Sequence, residues 1–230
     1  MARLDWRSGT VDRGRRMDIA VNLVESYLRL NGYLTVSEFE IQERAPDGTF
    51  RAVTDIDVMG VRFPGEVYVG DPHAGPDTKL LALEDPELRL EDGQIDVIVG
   101  EVKQGEATLN PGLRKHSSLH GILRRVEWLY GVPLTRVVDD LAAHRLCVSP
   151  ARGGGTVRTR LVAFGRAPES TVHVISLAHM VQTMLSFFEG HDDAFRPIQF
   201  RDPAPAMLAL LLKTGFSVRK DGTLEPDPKA

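Results

Sequence analysis

Apolar residues near the start of the chain recur at the spacing of an α-helix. Those that lie three or four positions apart are Ile19, Leu23, Tyr27 and Leu30. Because Gly32 follows as a stop signal, the pattern predicts a helix over residues 13–31. Two segments of alternating polarity come next, at 33–43 and 50–63, joined by the turn sequence Pro46-Asp47-Gly48. We therefore expect a β-hairpin after the first helix.

The segment 94–103 reads QIDVIVGEVK, and its density of Ile and Val is typical of a buried central strand. Residues 64–93 are rich in Pro, Gly and Asp and predict an elaborated loop or insertion before that strand. Helical and extended patterns then follow one another. Helices are expected at 119–129, just after Pro133, at 177–188 and at 204–214, and strands at 145–148, 156–164 and 172–176.

The predicted order α-β-β-β-α-β-β-α is that of a mixed α/β (α+β) fold, with a central mixed sheet flanked by helices. No repeat and no linker interrupts the pattern, and 230 residues suffice for one sizeable core. We therefore expect residues 1–219 to form a single domain. Residues 220–230, KDGTLEPDPKA, are expected to be a flexible C-terminal tail.

Composition narrows the class of protein. The net charge of -4 argues against a surface that coats nucleic acid or anionic membrane, although a local basic patch is still allowed. The one cysteine, Cys147, excludes an internal disulfide framework and a cysteine-based zinc cluster. The start of the chain lacks the apolar core of a signal peptide, and no apolar run approaches the roughly 18 residues of a membrane span. We expect a cytoplasmic protein that does not enter a membrane.

The signatures GxxxxGK[ST], GxSxG, HExxH and GxGxxG do not occur. The candidate catalytic residues lie at two other places in the sequence. One place is Asp57 in VTDIDVMGVRF, and the other is Glu101 with Lys103 in DVIVGEVKQG. On a strand, Glu101 and Lys103 project side by side while Val102 turns into the core. If Asp57 ends a neighbouring strand, two carboxylates meet beside an ammonium, and such oxygen ligands suit Mg²⁺.

This combination resembles the PD-(D/E)XK nuclease superfamily, the restriction-endonuclease-like phosphodiesterases. The likeness covers residues 13–130. Members of the family typically present a helix that bears an acid, a hairpin that bears the Asp, and a strand that bears Glu-x-Lys. The matching residues here are Glu25, Asp57, Glu101 and Lys103. One departure is that Ile56 stands where the family motif has a proline before the Asp.

The resemblance implies a restriction-endonuclease-like core and a nuclease that uses Mg²⁺, with Mn²⁺ as an alternative ion. It implies that Asp57 and Glu101 bind the metal together with the carbonyl of Val102, and that Lys103 orients or activates the attacking water. Glu25 would assist through water or a second ion. The implied substrate is nucleic acid, DNA foremost, and the implied roles are restriction, repair, recombination or defence against phage. A homodimer or a protein partner is consistent with the family.

The residue types are also suited to this chemistry apart from the resemblance. Phosphodiester hydrolysis needs a positioned hydroxide and a cation, which carboxylate-held Mg²⁺ supplies.

Several single residues have alternative interpretations. Glu25 lies at the border of the apolar helix face, from which it can reach inward or remain solvated. By strand alternation Asp55 shares the face of Asp57 and is an alternative ligand. Asp96 is interpreted as a polar residue at the start of its strand. Gln104 is a candidate substrate contact or an exposed loop residue.

Basic residues form two candidate phosphate-binding patches, each of which could equally be a solvated surface. The first patch follows the central strand and contains Arg114, Lys115, Arg124 and Arg125. The second surrounds three consecutive glycines and contains Arg152, Arg158, Arg160 and Arg166.

Two rival functions remain at this point. One is a catalytically inactive module of the same fold that binds nucleic acid or a protein partner. The other is a different metal hydrolase in which His116 and His120, one helical turn apart, bind zinc, although no third soft ligand accompanies them.

Overall fold

The computed structural model describes residues 18–65, 82–166, 172–218 and 223–226. Helix α1 (Ile19–Leu30) begins after Asp18, whose side chain accepts a hydrogen bond from the Ala20 N–H at 2.8 Å. Such a cap satisfies one of the N–H groups that a helix leaves unpaired at its start. Residues 13–17 of the predicted helix lie outside the described residues.

The predicted hairpin is present. Strand β1 (Leu34–Arg44) pairs antiparallel with β2 (Phe50–Arg62), and β2 pairs antiparallel with β3 (Gln94–Glu106). In the turn between β1 and β2, Gly48 has a φ of 83°, which favours glycine. The described part of the predicted insertion contains a short 3₁₀ helix, Pro86–Leu88, while residues 66–81 lie outside the described range.

Helices and strands alternate after β3. The segment 119–129, predicted as one helix, is the end of an α-helix followed directly by a 3₁₀ helix. The helix predicted after Pro133 is present. The elements are α2 (His116–Leu123), a 3₁₀ helix (Arg124–Leu129), α3 (Leu134–His144), β4 (Leu146–Pro150), β5 (Thr156–Arg166), β6 (His173–Ser176), α4 (Leu177–Gly190), α5 (Asp192–Phe195), α6 (Pro203–Lys213), β7 (Phe216–Val218) and β8 (Leu224–Pro226). Strand β8 pairs with β7, so three residues of the predicted flexible tail form a strand.

The fold is mixed α/β, with a central mixed sheet flanked by helices. The strand order is β1-β2-β3-β5-β4, and β6 also pairs with β5. Strands β3, β5 and β6 are parallel to one another, and the remaining pairs in this sheet are antiparallel. One sheet face packs against α1, α4 and α6, and the other against α2 and α3. Within the described ranges no helix is long and apolar enough to cross a membrane.

Asp96, interpreted as a polar residue at the start of its strand, is the third residue of β3 and is buried. It pairs in register with Arg158 on β5 and accepts hydrogen bonds from Arg158 Nε at 2.6 Å and from Arg160 Nη2 at 2.8 Å. Both arginines are buried, so their assignment to a phosphate-binding patch was wrong. A buried charge must be paired, and these guanidinium groups are occupied by Asp96.

Candidate active site

The candidate site lies where β2 and β3 separate. The last pair of their ladder is Val58 with Gly100, and the next pair, Asp57 with Glu101, is not formed. Instead, the Asp57 carboxylate accepts a hydrogen bond from the Val102 N–H at 2.7 Å. A side chain from β2 therefore takes the position at which a main-chain carbonyl would otherwise meet β3, and it brings Asp57 beside Glu101.

Two local features coincide with this separation. Glu38, which stands opposite Asp57 in the register of β1, has a φ of 49°, and the β1–β2 ladder skips this pair. Gly100 leaves no space for a side chain, because a Cβ there would lie 2.6 Å from the Phe164 ring and 2.7 Å from Val58. Glycine at position 100 therefore lets the sheet pack tightly immediately before the acidic residue that follows it.

Glu101 and Lys103 form an ion pair. Glu101 is buried and Lys103 is partly exposed, and the Lys103 ammonium donates to the Glu101 carboxylate. The main chain of Asn110, in the loop before α2, acts to lower the pKa of Glu101. Val102, between them, is buried in the core on the opposite face. This is the side-by-side arrangement that strand alternation predicts.

A β-bulge follows Val102. Strand β3 is in register with β5 up to the pair Val102–Phe164 and resumes at Glu106–Arg166. The three residues 103–105 therefore lie opposite the single residue Gly165. Bulges re-aim side chains near functional sites. Here the bulge contains Lys103 and Gln104, and the sequence pattern gave no indication of it.

The carboxylates influence one another's ionisation. Burial raises the pKa of Asp57, and the charges of Asp18 and Asp55 act in the same direction. Burial also raises the pKa of Glu101, and the charge of Asp57 adds to this. Burial alone would lower the pKa of Lys103, but Glu101 and Asp57 outweigh it and raise that pKa. A cation between the two carboxylates would favour their charged forms.

The donor set fits a hard cation such as Mg²⁺. Asp57 and Glu101 offer carboxylate oxygens. Because the N–H and C=O of one strand residue point to the same neighbouring strand, the Val102 carbonyl faces the gap into which its N–H donates. Mg²⁺ commonly takes one or two carboxylates and keeps several waters. In the described part of the chain no group of three or more His, Cys, Asp or Glu side chains is placed to hold a metal, so side chains would supply only two ligands here.

Glu25, the acid expected from the first helix, has other partners. It is buried, and its Oε1 accepts hydrogen bonds from Arg29 Nη2 at 2.9 Å and from Thr35 Oγ1 at 3.2 Å. These contacts tie the second half of α1 to β1. The role of Glu25 in a site with Asp57 and Glu101 stays a prediction.

Asp18 is a residue that the sequence reasoning missed. It lies at the start of α1, raises the pKa of Asp57 by its charge, and accepts a hydrogen bond from Gln104 Nε2 at 3.3 Å. The signal was present in the sequence, because an Asp directly before the first periodic apolar residue, Ile19, is typical of a helix N-cap. The sequence does not show that this helix start lies beside β3.

An acidic pocket of about 250 Å³ adjoins Asp57. Its lining residues are Glu38, Phe39, Glu40, Asp55, Ile56 and Asp57. Asp55 is exposed, whereas Asp57 is the acid that reaches β3 by bonding to the Val102 N–H. Of the two alternative ligands, Asp57 is therefore the one placed next to Glu101. The negative potential of such a pocket attracts cations.

The first basic patch lies close to the site along the chain. Arg114 and Lys115 are exposed and follow by only a few positions Asn110, whose main chain acts on the pKa of Glu101. Arg124 and Arg125 are also exposed, beyond α2. The guanidinium of Arg125 stands over the ring of Phe39 at 4.4 Å, and its Nη1 donates to the Gly121 carbonyl at 2.8 Å. Arg125 is thus held in place, and the other three project into solvent.

Within the described residues, neither the second basic patch nor the pair His116 and His120 forms the predicted cluster. Arg152 and Arg166 are exposed, but their intended companions Arg158 and Arg160 are buried with Asp96. His116 pairs with Asp139 at 3.3 Å, and no group of three potential ligands includes His116 or His120 within the described residues.

Comparison of the chain with protein-family models, with curated proteins and with solved structures gives no match. A functional assignment therefore depends on the contacts among Asp57, Val102, Glu101 and Lys103.

Proposed function

We propose that this protein is a metal-dependent nuclease of the PD-(D/E)XK type with a restriction-endonuclease-like core, which acts in the cytoplasm and hydrolyses phosphodiester bonds of nucleic acid, DNA foremost. The observation that carries the proposal is the junction of β2 and β3. There the Asp57 carboxylate binds the Val102 N–H, beside a buried Glu101 that is paired with Lys103. The hairpin, the central β3 and its parallel neighbour β5 support the core.

The contacts of the residues support a role for each. Asp57, Glu101 and the Val102 carbonyl would hold the metal. Bound there, Mg²⁺ or Mn²⁺ supplies positive charge against the phosphate oxygens and lowers the pKa of a water molecule. Lys103, already oriented by Glu101, would hold the attacking water or a phosphate oxygen by hydrogen bonds. Burial of Glu101 strengthens these electrostatic interactions, because water screens them less.

The exposed cations after β3 provide a surface for the substrate. Arg114, Lys115, Arg124 and Arg125 lie on or beside α2, and the loop before α2 includes Asn110, whose main chain acts on the pKa of Glu101. Such residues contact phosphates without regard to sequence. The overall net charge of -4 does not oppose this, because binding responds to the local field. Gln104 adds a candidate polar contact in the bulge.

The test is a cleavage assay with linear, circular and single-stranded DNA and with RNA, each in Mg²⁺, in Mn²⁺ and in EDTA. We expect wild type to cut at least one substrate with metal and none in EDTA. Lys103→Ala should abolish cutting, whereas Lys213→Ala, an exposed lysine on α6, should not. Cleavage by Lys103→Ala at the wild-type rate, or wild-type cleavage in EDTA, would count against the proposal.

A second candidate is a catalytically inactive module that binds nucleic acid. It is favoured by the ion pair of Glu101 with Lys103, which neutralises both groups without a metal, and by the exposed cations nearby. This candidate predicts binding that is lost in an Arg114→Ala and Lys115→Ala double variant and is unaffected by EDTA or by Lys103→Ala. Metal-dependent cutting by wild type excludes it.

A further inference from the structure

We propose that Asp18 is a positioning residue of this site: it holds Gln104, and through Gln104 the 103–105 bulge, so that Lys103 stays oriented on Glu101. The proposal rests on the nuclease function proposed above. It assigns to the start of α1 a role that the expected helix acid, Glu25, does not have in its observed contacts.

Side-chain contacts add to the packing of the bulge main chain, whose Lys103 and Gly105 carbonyls lie against Gly165. Residues 103–105 have left the ladder that β3 forms with β5, which ends at Val102 and resumes at Glu106. Two side chains of the bulge have described partners: Lys103 pairs with Glu101, and Gln104 Nε2 donates to Asp18 Oδ1 at 3.3 Å. Since Gln104 is the direct chain neighbour of Lys103, the bond to Asp18 restricts the main chain that carries the ammonium.

Asp18 is itself tied to α1. Its Oδ1 also accepts from the Ala20 N–H, and its main-chain carbonyl accepts from Asn22 N–H at 3.0 Å. Residues Ala20 to Leu28 of α1 are all buried. The helix start is therefore fixed to the core, and a bond from Gln104 to Asp18 fixes the bulge to the same core.

The contacts also indicate which property of Asp18 matters. A carboxylate oxygen accepts from an amide, and the side-chain carbonyl of an asparagine can accept in the same way. Asparagine is as good an N-cap as aspartate. Asp18→Asn should therefore preserve both bonds, whereas Asp18→Ala removes both.

The first experiment measures hydrogen–deuterium exchange of the main-chain amides of residues 103–105, which does not depend on activity. We expect faster exchange there in Asp18→Ala and in Gln104→Ala, and wild-type exchange in Asp18→Asn. The matched control is Asp202→Ala, because Asp202 binds Arg29 at the other end of α1, at 3.0 Å. Unchanged exchange of the bulge in Asp18→Ala would overturn the proposal.

The second experiment measures kcat and KM for cleavage. Loss of one such hydrogen bond corresponds to about a two- to tenfold change, and we expect it in kcat with little change in KM, because Lys103 acts on the reacting groups. The double variant Asp18→Ala/Gln104→Ala should be no slower than either single variant, and Asp18→Asn should restore the rate.

The outcomes separate the two proposals. If Asp18→Asn is as slow as Asp18→Ala, the charge rather than the bond matters, and the positioning role is wrong. If wild type cleaves and Asp18→Ala cleaves equally well, only the role of Asp18 fails. If wild type cleaves nothing with metal, the nuclease function fails, and the exchange data still decide whether Asp18 holds the bulge.

Discussion

The buried cluster around Asp96 provides the sharpest prediction on stability. Two guanidinium groups, those of Arg158 and Arg160, share the single carboxylate of Asp96, whose side chain is 3 % exposed. Arg160 also donates to the Leu88 carbonyl at 2.9 Å, so the cluster joins β3 and β5 to the 3₁₀ helix before β3. Asp96→Asn would preserve the shape of the side chain and leave two buried cations without an anion.

Removing one partner from a buried ion pair costs about 3–5 kcal/mol. The free energy of unfolding of a domain is commonly about 5–15 kcal/mol, so this substitution should remove a large share of it. If the free energy of unfolding falls by about 3 kcal/mol per M urea, the midpoint of unfolding should move down by about 1–1.7 M urea. The exposed pair of Asp192 with Arg196 gives the control, since Asp192→Asn should cost less than about 1 kcal/mol.

The same cluster predicts a dependence on pH. Burial alone would raise the pKa of Asp96, but the charge of Arg160 and the hydrogen bonds from Arg160 and Arg158 outweigh it and lower that pKa below its ordinary 3.8. Its stabilisation is therefore complete above this value and is lost as the pH falls through the lower, folded-state pKa. Urea titrations from pH 7 to 3 should show a difference between wild type and Asp96→Asn that is constant well above pH 3.8 and begins to narrow only below it. A difference under 1 kcal/mol at pH 7 would refute the reasoning.

Three other substitutions and modifications test further contacts. Gly100→Ala would force a Cβ into Phe164 and Val58, so the free energy of unfolding measured in urea should fall by about 1–3 kcal/mol; unchanged stability would show that the strands have room to part. For duplex DNA, the logarithm of the binding constant falls with the logarithm of the salt concentration. In Arg125→Ala this fall should be less steep by about 0.9, and an unaltered slope would exclude a phosphate contact. Burial raises the pKa of the Cys147 thiol to about 11, so a thiol reagent at pH 8 should react far more slowly with native than with urea-unfolded protein, and equal rates would contradict this.

Local patterns sufficed for much of the fold and for part of the candidate site. Periodicity placed the first helix, the hairpin and β3, because each buries an apolar face with a characteristic spacing. The neighbourhood of Glu101 and Lys103 followed from strand alternation alone. That Asp57 would meet them was a conditional expectation, which required Asp57 to lie at the end of a neighbouring strand.

What the sequence could not show depends on register between distant segments. Asp96 and Arg158 are 62 residues apart, and only the parallel register of β3 with β5 brings them together. The bulge at residues 103–105 likewise exists only relative to β5. The sequence predicts Asp18 only as a helix cap. Its proximity to Gln104 arises from how α1 packs on the sheet.

The central claim is that Asp57 and Glu101 hold a metal that Lys103 assists, and a single-turnover cleavage rate in Mg²⁺ tests it most directly. Asp57→Asn removes the charge with almost no change in shape, and metal-ion catalysis is worth several kcal/mol of transition-state stabilisation. Asp57→Asn should therefore be at least about 100-fold slower than wild type, while Asp192→Asn stays at the wild-type rate. A wild-type cleavage rate in Asp57→Asn would contradict the assignment of the site.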